Sequence, residues 1–256
     1  MLRRLSAVPR VVCIGGATVD RKLRLAGPFV AGTSNPVAVT GSFGGVARNV
    51  AENLARLGVE VALVTAVGRD AAGDAVLADL AAVGVDTSAA VSVDGVATAQ
   101  YDAVLAPDGA LVAGFAAMDV FAALTPAFLA GLAPDALAVD WIFADANLSM
   151  ETLAALPALR GGGRLAVDAV SVAKAPRLAG LGPDLMFLNA DEAATLLGHP
   201  DAPAEMAADL LDHARAVVLT LGAEGALIAD AAGVRPVGAV TAAVVDVTGA
   251  GDALVA

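Results

Sequence analysis

Short apolar runs alternate with segments of helical periodicity along most of the chain, and this alternation constrains the fold more than any other feature. The apolar runs are typical of strands and lie at 11–14, 59–67, 141–144, 165–167, 185–188 and 217–221. Helices are expected at 46–57, at 71–83 and between the later strands. Strands that alternate with helices form a mostly parallel sheet that helices cover on both faces. The sequence therefore predicts an α/β fold.

The helix predicted at 46–57 has one apolar face, formed by Val46, Val50, Leu54 and Leu57. Its polar residues include two pairs of opposite charge at a spacing of four, which are Arg48 with Glu52 and Glu52 with Arg56. Residues four apart are neighbours on a helix surface, so both pairs are expected to stabilise this helix. Gly58 is expected to end it.

Two segments differ from the strand and helix alternation. Residues 21–42 are rich in turn formers and short alternating stretches, and residues 98–115 read as a hairpin that turns at Pro107, Asp108 and Gly109. A second hairpin is expected at 227–237. The segments 21–42 and 95–118 are the best candidates for a small lid made of strands. Because no repeat or linker divides the chain, residues 1–256 are expected to form a single domain.

Composition excludes several classes of protein. The formal net charge of −12 argues against a nucleic-acid polymer as a partner, because phosphate backbones are bound by clustered Lys and Arg. The mean hydropathy of +0.75 is high, yet the longest charge-free stretch is interrupted by Pro, Gly and polar residues, so no membrane span is expected. The start of the chain lacks the pattern of a secretory signal. A single cysteine, Cys13, fits a reducing cytosol and predicts a cytoplasmic protein.

The most informative motif lies at 246–252, with the sequence Asp-Val-Thr-Gly-Ala-Gly-Asp. Its glycines allow a sharp turn and close approach to a ligand, and a helix-like run follows it. The backbone amides of Gly249, Ala250 and Gly251 would then form an anion site, next to the carboxylate of Asp252. This combination suits a carboxylate that takes a proton from a hydroxyl while amides hold a phosphoryl group. A helix capped by Asp after a glycine turn is the purely structural alternative.

Three weaker motifs accompany this turn. Gly44 and Gly45 precede the first helix, and Asn49 lies in its first turn, where its amide would face a ligand at the strand ends. Asn189 and Glu192 follow the strand at 185–188. These two residues form either a capping box or a site near hydrated Mg²⁺ and phosphate.

The third weak motif follows the strand at 217–221. It contains Thr220, Gly222 and Gly225, whose small side chains would let a nucleotide lie against the backbone.

Other mechanisms lack their motifs. The chain has two lysines, Lys22 and Lys174, and neither follows a glycine-rich loop, so no Walker A site is present. No G-x-G-x-x-G follows the first strand, and no G-x-S-x-G occurs, which argues against a dinucleotide-binding dehydrogenase and a serine hydrolase. The two histidines, His199 and His213, lack partners at zinc-ligand spacing.

Taken in chain order, these motifs resemble those of the ribokinase-like (PfkB) carbohydrate kinases. A double glycine followed by Asn, an N-x-x-E, a T-x-G-x-x-G and a D-x-T-G-A-G-D occur over nearly the whole length, and Asp20 matches the early Asp of that family. Narrower features resemble the pseudouridine kinases within the family and lie at 33–36, 44–54, 144–149 and 167–174. Position 247 is Val where the family often has Thr.

The resemblance implies a three-layer α/β/α sandwich with a β-strand lid, and phosphorylation of the 5′-hydroxyl of pseudouridine by ATP with Mg²⁺. Asp252 would be the base, next to the anion site formed by Gly249, Ala250 and Gly251. The residues implied in substrate binding are Asp20, Asn35, Gly44, Gly45, Asn49, Tyr101 and Lys174. Those implied in nucleotide binding are Asn189, Glu192, Thr220, Gly222 and Gly225, with Glu192 reaching Mg²⁺ through water.

The resemblance leaves several alternatives open. Instead of pseudouridine, the acceptor would be another substrate of the family, such as ribose, fructose or adenosine. Alternatively, the chain would be a non-catalytic protein that binds a sugar or nucleoside. A homodimer through the lid is implied, and dependence on a monovalent cation is left open. Family members continue for several tens of residues beyond the position of Ala256, so the fold is expected to lack its C-terminal part and to bind ATP weakly if the chain ends there.

Overall fold

The computed structural model describes residues 10–132, 136–240 and 249–256. Its strands are β1 (Arg10–Ile14), β2 (Thr18–Leu25), β3 (Val37–Gly44), β4 (Glu60–Val64), β5 (Ala66–Gly68), β6 (Val91–Val93), β7 (Gln100–Leu105), β8 (Leu111–Ala117), β9 (Trp141–Asp145), β10 (Arg164–Asp168), β11 (Leu185–Asn189), β12 (Val217–Thr220), β13 (Ala226–Asp230) and β14 (Gly233–Val237). Its α-helices are α1 (Val46–Arg56), α2 (Ala71–Ala82), α3 (Pro126–Ala130), α4 (Met150–Leu159), α5 (Ala190–Leu197), α6 (Pro203–Asp209) and α7 (Ala250–Val255).

The main sheet has eight strands in the order β14-β13-β12-β11-β10-β9-β1-β4. The strands from β12 to β4 are parallel, and β13 and β14 extend the sheet as an antiparallel hairpin, as expected from 227–237. Buried apolar clusters lie on both faces of the sheet, one around Ile142 and Leu165 and the other around Leu63 and Phe143. The prediction of a mostly parallel sheet covered on both faces is therefore confirmed.

The run predicted as one strand at 59–67 forms two strands instead. β4 belongs to the main sheet, whereas β5 pairs with β6 in a separate two-stranded sheet. Thr65 lies between β4 and β5, and its buried hydroxyl donates a 2.7 Å hydrogen bond to the backbone oxygen of Gly15. This long-range bond holds the chain where it leaves the main sheet, and a hydrophobic pattern does not record it.

A four-stranded sheet, in the order β3-β2-β7-β8, stands apart from the main sheet. Most of its residues come from the segments 21–42 and 95–118, which the sequence proposes as the lid. Asp20 on β2 is the register partner of Ser42 on β3 and of Tyr101 on β7, so these three side chains share one face. The opposite face carries exposed apolar residues, among them Val39 and Phe115.

Helix α1 confirms the two ion pairs expected from the sequence. Arg48 and Arg56 both pair with Glu52, at 2.5 Å and 2.6 Å. The helix buries Ala47, Val50 and Ala51 against the main sheet. In the part of the chain that the structure describes, no helix has the length and apolar character that crossing a bilayer requires.

Candidate active site

Polar residues gather where the parallel strands of the main sheet end. Asp145 at the end of β9 and Asp168 at the end of β10 are register partners, and so are Asn189 on β11 and Thr220 on β12. The carboxyl ends of parallel strands form the crevice in which open α/β sheets bind ligands. The sheet therefore places the N-x-x-E and T-x-G-x-x-G motifs at one edge.

The first turn of α7 lies at this same edge and contacts α1. Asn49 Nδ2 donates a hydrogen bond of 2.7 Å to Oδ2 of Asp252. Gly249 precedes α7 in the left-handed conformation, with φ of 74°, as the glycine turn predicts. Asp246, Val247 and Thr248, the first residues of the motif, lie outside the described residues.

Asp252 is half-buried, and its surroundings change its acidity. Burial raises the pKa of its carboxyl group, and the negative charges of Asp145 and Asp20 raise it further, whereas the hydrogen bond from Asn49 lowers it. A carboxylate with a raised pKa is a stronger base than an exposed one, provided that it is deprotonated at the working pH. The site thus contains a base of tuned strength next to an amide donor.

Asp20 is held by close packing against the double glycine. A Cβ atom on Gly44 would overlap the carboxylate of Asp20, and one on Gly45 would overlap the backbone oxygen of Gly16. Gly45 also has φ of 98°, which few other residues adopt. Thr18 donates a 2.7 Å hydrogen bond to Asp20. Gly45 is therefore required by backbone packing and conformation, whereas Gly44 leaves room for the carboxylate of Asp20.

A cavity of about 530 Å³ opens between the four-stranded sheet, α1 and α7. Its lining residues are Lys22, Thr40, Gly41, Ser42, Phe43, Asn49, Glu52, Asn53, Gly249 and Ala253. Pockets for small ligands commonly enclose 300–1,000 Å³, so the cavity is large enough for a sugar or nucleoside. Asn49 belongs both to this cavity and to the hydrogen bond with Asp252.

A second, smaller cavity of about 190 Å³ is lined by Asp252. Its polar lining residues are Asp168, Asn189, Glu192, Thr220 and Asp252. Asn189 and Glu192 form the capping box that the sequence offered as an alternative, with bonds of 2.8 Å and 3.0 Å. The capping role does not exclude a second one, because the Glu192 side chain also borders the cavity, and burial raises its pKa.

Asp168 belongs to this group, although sequence reasoning did not select it. Its pKa is raised to about 8, chiefly by burial and also by the negative charges of Glu192, Asp145 and Asp252, although the hydrogen bond from the backbone of Val170 lowers it. Val170 donates a 2.7 Å backbone hydrogen bond to it and has a left-handed φ of 65°. The available signal was the position of Asp168 directly after a predicted strand, which places it at the ligand-binding edge.

Asp145 is the second residue that sequence reasoning missed. Its fully buried carboxylate accepts backbone hydrogen bonds from Gly16 and Ala47 at 2.9 Å and from Asn147 at 3.0 Å. It therefore joins the loop after β1 to the start of α1. The available signals were its position after the predicted strand at 141–144 and its place in the 144–149 stretch that resembles the pseudouridine kinases.

The remaining predicted substrate residues differ in position. Lys174 is half-buried and donates a hydrogen bond to Oδ1 of Asn147, close to Gly16, and burial lowers the pKa of its amine. Tyr101 lies on the Asp20 face of the four-stranded sheet, with its hydroxyl over Gly114. Asn35 is half-buried and bonds only to the backbone of Val30 and Thr33 among the hydrogen bonds described for it, and it borders neither cavity.

Gly222 and Gly225 follow β12 but border neither of the two cavities. Both have positive φ, 59° and 95°, and a Cβ atom on Gly225 would overlap the backbone oxygen of Val237. Packing against β14 thus explains Gly225, while Thr220 lines the smaller cavity.

Comparison with known proteins gives the family. Residues 8–256 match the pfkB family of carbohydrate kinases. The chain belongs to that family. PfkB kinases are phosphotransferases that act on sugar or nucleoside hydroxyl groups, and a kinase of this family uses ATP as the phosphoryl donor. The predicted family and enzyme class are confirmed.

Individual members of the PfkB family resemble the chain to different degrees. The pseudouridine kinase of Escherichia coli is 31% identical over 255 residues, which covers 96% of this chain and 81% of that protein. The structure of a carbohydrate kinase from Agrobacterium tumefaciens matches with 32% identity and a TM-score of 0.75, over 86% of this chain and 72% of that one.

A ribokinase from Cryptococcus neoformans, solved with ADP, matches the fold at 21% identity and a TM-score of 0.75. The match covers 96% of this chain and 84% of that chain. The prediction of a ribokinase-like fold is confirmed by this likeness.

Proposed function

We propose that this PfkB kinase transfers the γ-phosphoryl group of ATP to the 5′-hydroxyl of pseudouridine. The products are pseudouridine 5′-phosphate, ADP and a proton. The observation that carries the proposal is the hydrogen bond between Asn49 and Asp252, because it joins the cavity under the four-stranded sheet to the carboxylate edge of the main sheet. The 31% identity to a pseudouridine kinase supports this nucleoside as the acceptor.

Asp252 is proposed as the general base. It lines the smaller cavity, which would receive the end of the phosphate chain, and it accepts a hydrogen bond from Asn49, which lines the larger cavity that would hold the acceptor. Its carboxylate accepts the proton of the 5′-hydroxyl while that oxygen forms a bond to phosphorus and the bond to ADP breaks. Phosphoryl transfer depends mainly on such positioning and on neutralisation of charge.

The charge of the phosphates is neutralised by several groups in this proposal. No described side chain caps the first turn of α7, so the amides of Ala250 and Gly251 are available to the phosphoryl group. Asp168 and Glu192 fit a divalent cation, since their carboxylates border one cavity and the negative charge of Glu192 raises the pKa of Asp168. They would hold Mg²⁺ through water, and the ion would neutralise the β- and γ-phosphates.

Among the residues proposed to orient the acceptor, Asn49 lines the larger cavity and the others do not. We propose that Asp20, Gly44, Gly45 and Asn49 contact the ribose hydroxyls and that Tyr101 and Lys174 border the base. The four-stranded sheet acts as a lid over the acceptor. Its outer face exposes Val37, Val39 and Phe115, and this apolar surface supports pairing of two lids in a homodimer.

An ADP-release assay tests the proposed function. The chain is supplied with ATP and Mg²⁺ together with pseudouridine, uridine, adenosine, ribose or fructose. Pseudouridine is expected to give the highest kcat/KM, and phosphorus NMR should show a 5′-phosphate. A higher value with another acceptor would reassign the substrate within the family. Calorimetric binding of pseudouridine without turnover of any acceptor would instead indicate a binding protein.

A further inference from the structure

Arg48 lies buried beneath the proposed acceptor site, with 6% of its surface exposed. Its Nη1 donates a 3.0 Å hydrogen bond to Oδ1 of Asn49 and pairs with Glu52 at 2.5 Å. Its Nη2 pairs with Asp79 of α2 at 2.5 Å. Arg48 itself borders neither of the two cavities. Two of the residues that it contacts, Asn49 and Glu52, line the larger cavity.

The contact with Asn49 has a chemical consequence. An Asn side chain presents an acceptor oxygen on one side and a donor NH₂ group on the other, and the two can exchange by rotation. A guanidinium group only donates, so it binds the oxygen and excludes the NH₂ group from its side. In this arrangement the NH₂ group faces Oδ2 of Asp252.

Arg48 is itself held in place by charges on two helices. Glu52 lies on α1, and Asp79 lies on α2, and their side chains are 19% and 39% exposed. The planar guanidinium fixes its partners in defined directions, which an ammonium group does not. The positive charge of Arg48 also acts on Asp20, whose pKa it lowers against the larger, raising effect of burial.

We propose that Arg48 is a positioning residue for the acceptor site. It locks the amide of Asn49 so that the NH₂ group faces Asp252 and the acceptor hydroxyl. The inference deepens the proposed function and rests on it, because it assigns to a buried residue the orientation of a group that would touch the acceptor. Arg48 acts through Asn49 and makes no contact with substrate.

A double-mutant cycle tests this role. The variants are Arg48→Met, Asn49→Ala and the two combined. Each single variant is expected to lower kcat/KM for the acceptor roughly tenfold or more, as loss of a hydrogen bond to a charged group does. The combined variant should lose no more than the worse single one, and KM for ATP should not change. Losses that multiply, or an unchanged Arg48→Met enzyme, would overturn the proposal.

Arg56→Met is the matched control. Arg56 pairs with the same Glu52, but its side chain is 60% exposed and its described hydrogen bonds go to Glu52 and not to Asn49. This variant should retain the acceptor KM of the wild type. Arg48→Lys serves if the methionine variant does not fold: it keeps the charge for Glu52 and Asp79, and should still raise the acceptor KM.

A second readout needs no turnover. The side-chain amide protons of Asn49, followed by NMR, should exchange slowly with water in the wild type and in Arg56→Met, and faster in Arg48→Met and Arg48→Lys. Equal exchange in all four proteins would exclude the positioning role. If the wild type does not phosphorylate pseudouridine, only the proposed function is overturned. The double-mutant cycle is then measured with whichever acceptor the wild type does phosphorylate. If it phosphorylates no acceptor, the NMR exchange measurement alone tests the role of Arg48.

Discussion

Asn49 and Asp252 are joined by a 2.7 Å hydrogen bond although 203 positions separate them in the chain. The bond connects the first turn of α1, which follows the double glycine, to the first turn of α7, which follows the late glycine turn. Had these two turns been far apart, Asp252 would not reach a hydroxyl held by the double-glycine motif. Their contact supports three further expectations about activity and stability.

The first expectation concerns the base. Asp252→Asn should lower kcat by roughly two to four orders of magnitude, the usual contribution of a general base, because an amide cannot accept the hydroxyl proton. Binding of the acceptor, measured by calorimetry, should largely survive. Asp209→Asn, at an exposed position in α6, is the control and should keep wild-type turnover. Comparable turnover in Asp252→Asn would remove the assignment of the base.

The second expectation is the pH dependence of the reaction. Burial and the charges of Asp145 and Asp20 raise the pKa of Asp252, and the base acts only when deprotonated. Therefore kcat/KM should fall on the acid side, at a higher pH than the pKa of an ordinary Asp would give. Asp20→Asn removes one negative charge and should move this acid limb to lower pH, whatever its effect on acceptor binding.

Asp102→Asn is the control for that profile. Asp102 lies on the same sheet as Asp20 but pairs with Arg21 on the opposite face. Its replacement should leave the acid limb in place. If Asp20→Asn also leaves the acid side of the pH profile unchanged, the carboxylates of Asp20 and Asp252 do not interact in solution.

The third expectation concerns the stability of the protein without metal. The pKa of Asp168 is raised from 3.8 to about 8 in the folded state, chiefly by burial. The folded protein therefore binds a proton that the unfolded chain releases, and its free energy of unfolding should decrease as pH rises from about 4 to about 8. Asp168→Asn should flatten this decrease and raise Tm at pH 8, measured in EDTA, more than at pH 5.

The same variant should respond differently in the kinase assay. If Asp168 helps to hold Mg²⁺, Asp168→Asn will lower kcat and raise the Mg²⁺ concentration that gives half-maximal rate. Asp212→Asn, at an exposed position, serves as the control, with no expected change in either measurement. A more stable variant with unchanged Mg²⁺ dependence would restrict Asp168 to a structural role.

Local patterns predict most of the architecture correctly. The strands at 11–14, 141–144, 165–167 and 185–188 match β1, β9, β10 and β11 closely, because buried parallel strands are short apolar runs with clear ends. The pattern failed at 59–67, where Thr65 bonds to Gly15 and the chain leaves the main sheet. An apolar run does not show where a strand changes sheets.

The sequence by itself determined the family, the parallel sheet and the order of the motifs, since these depend on residue type and spacing along the chain. The tertiary structure alone decided which polar and charged groups contact each other. It brought Asp145 to the amides of Gly16 and Ala47, Asp168 to Glu192, and Asn49 to Asp252. The reason is physical: hydrogen bonding and desolvation depend on distance and burial in three dimensions, and residues far apart in the chain carry no local sign of their partners.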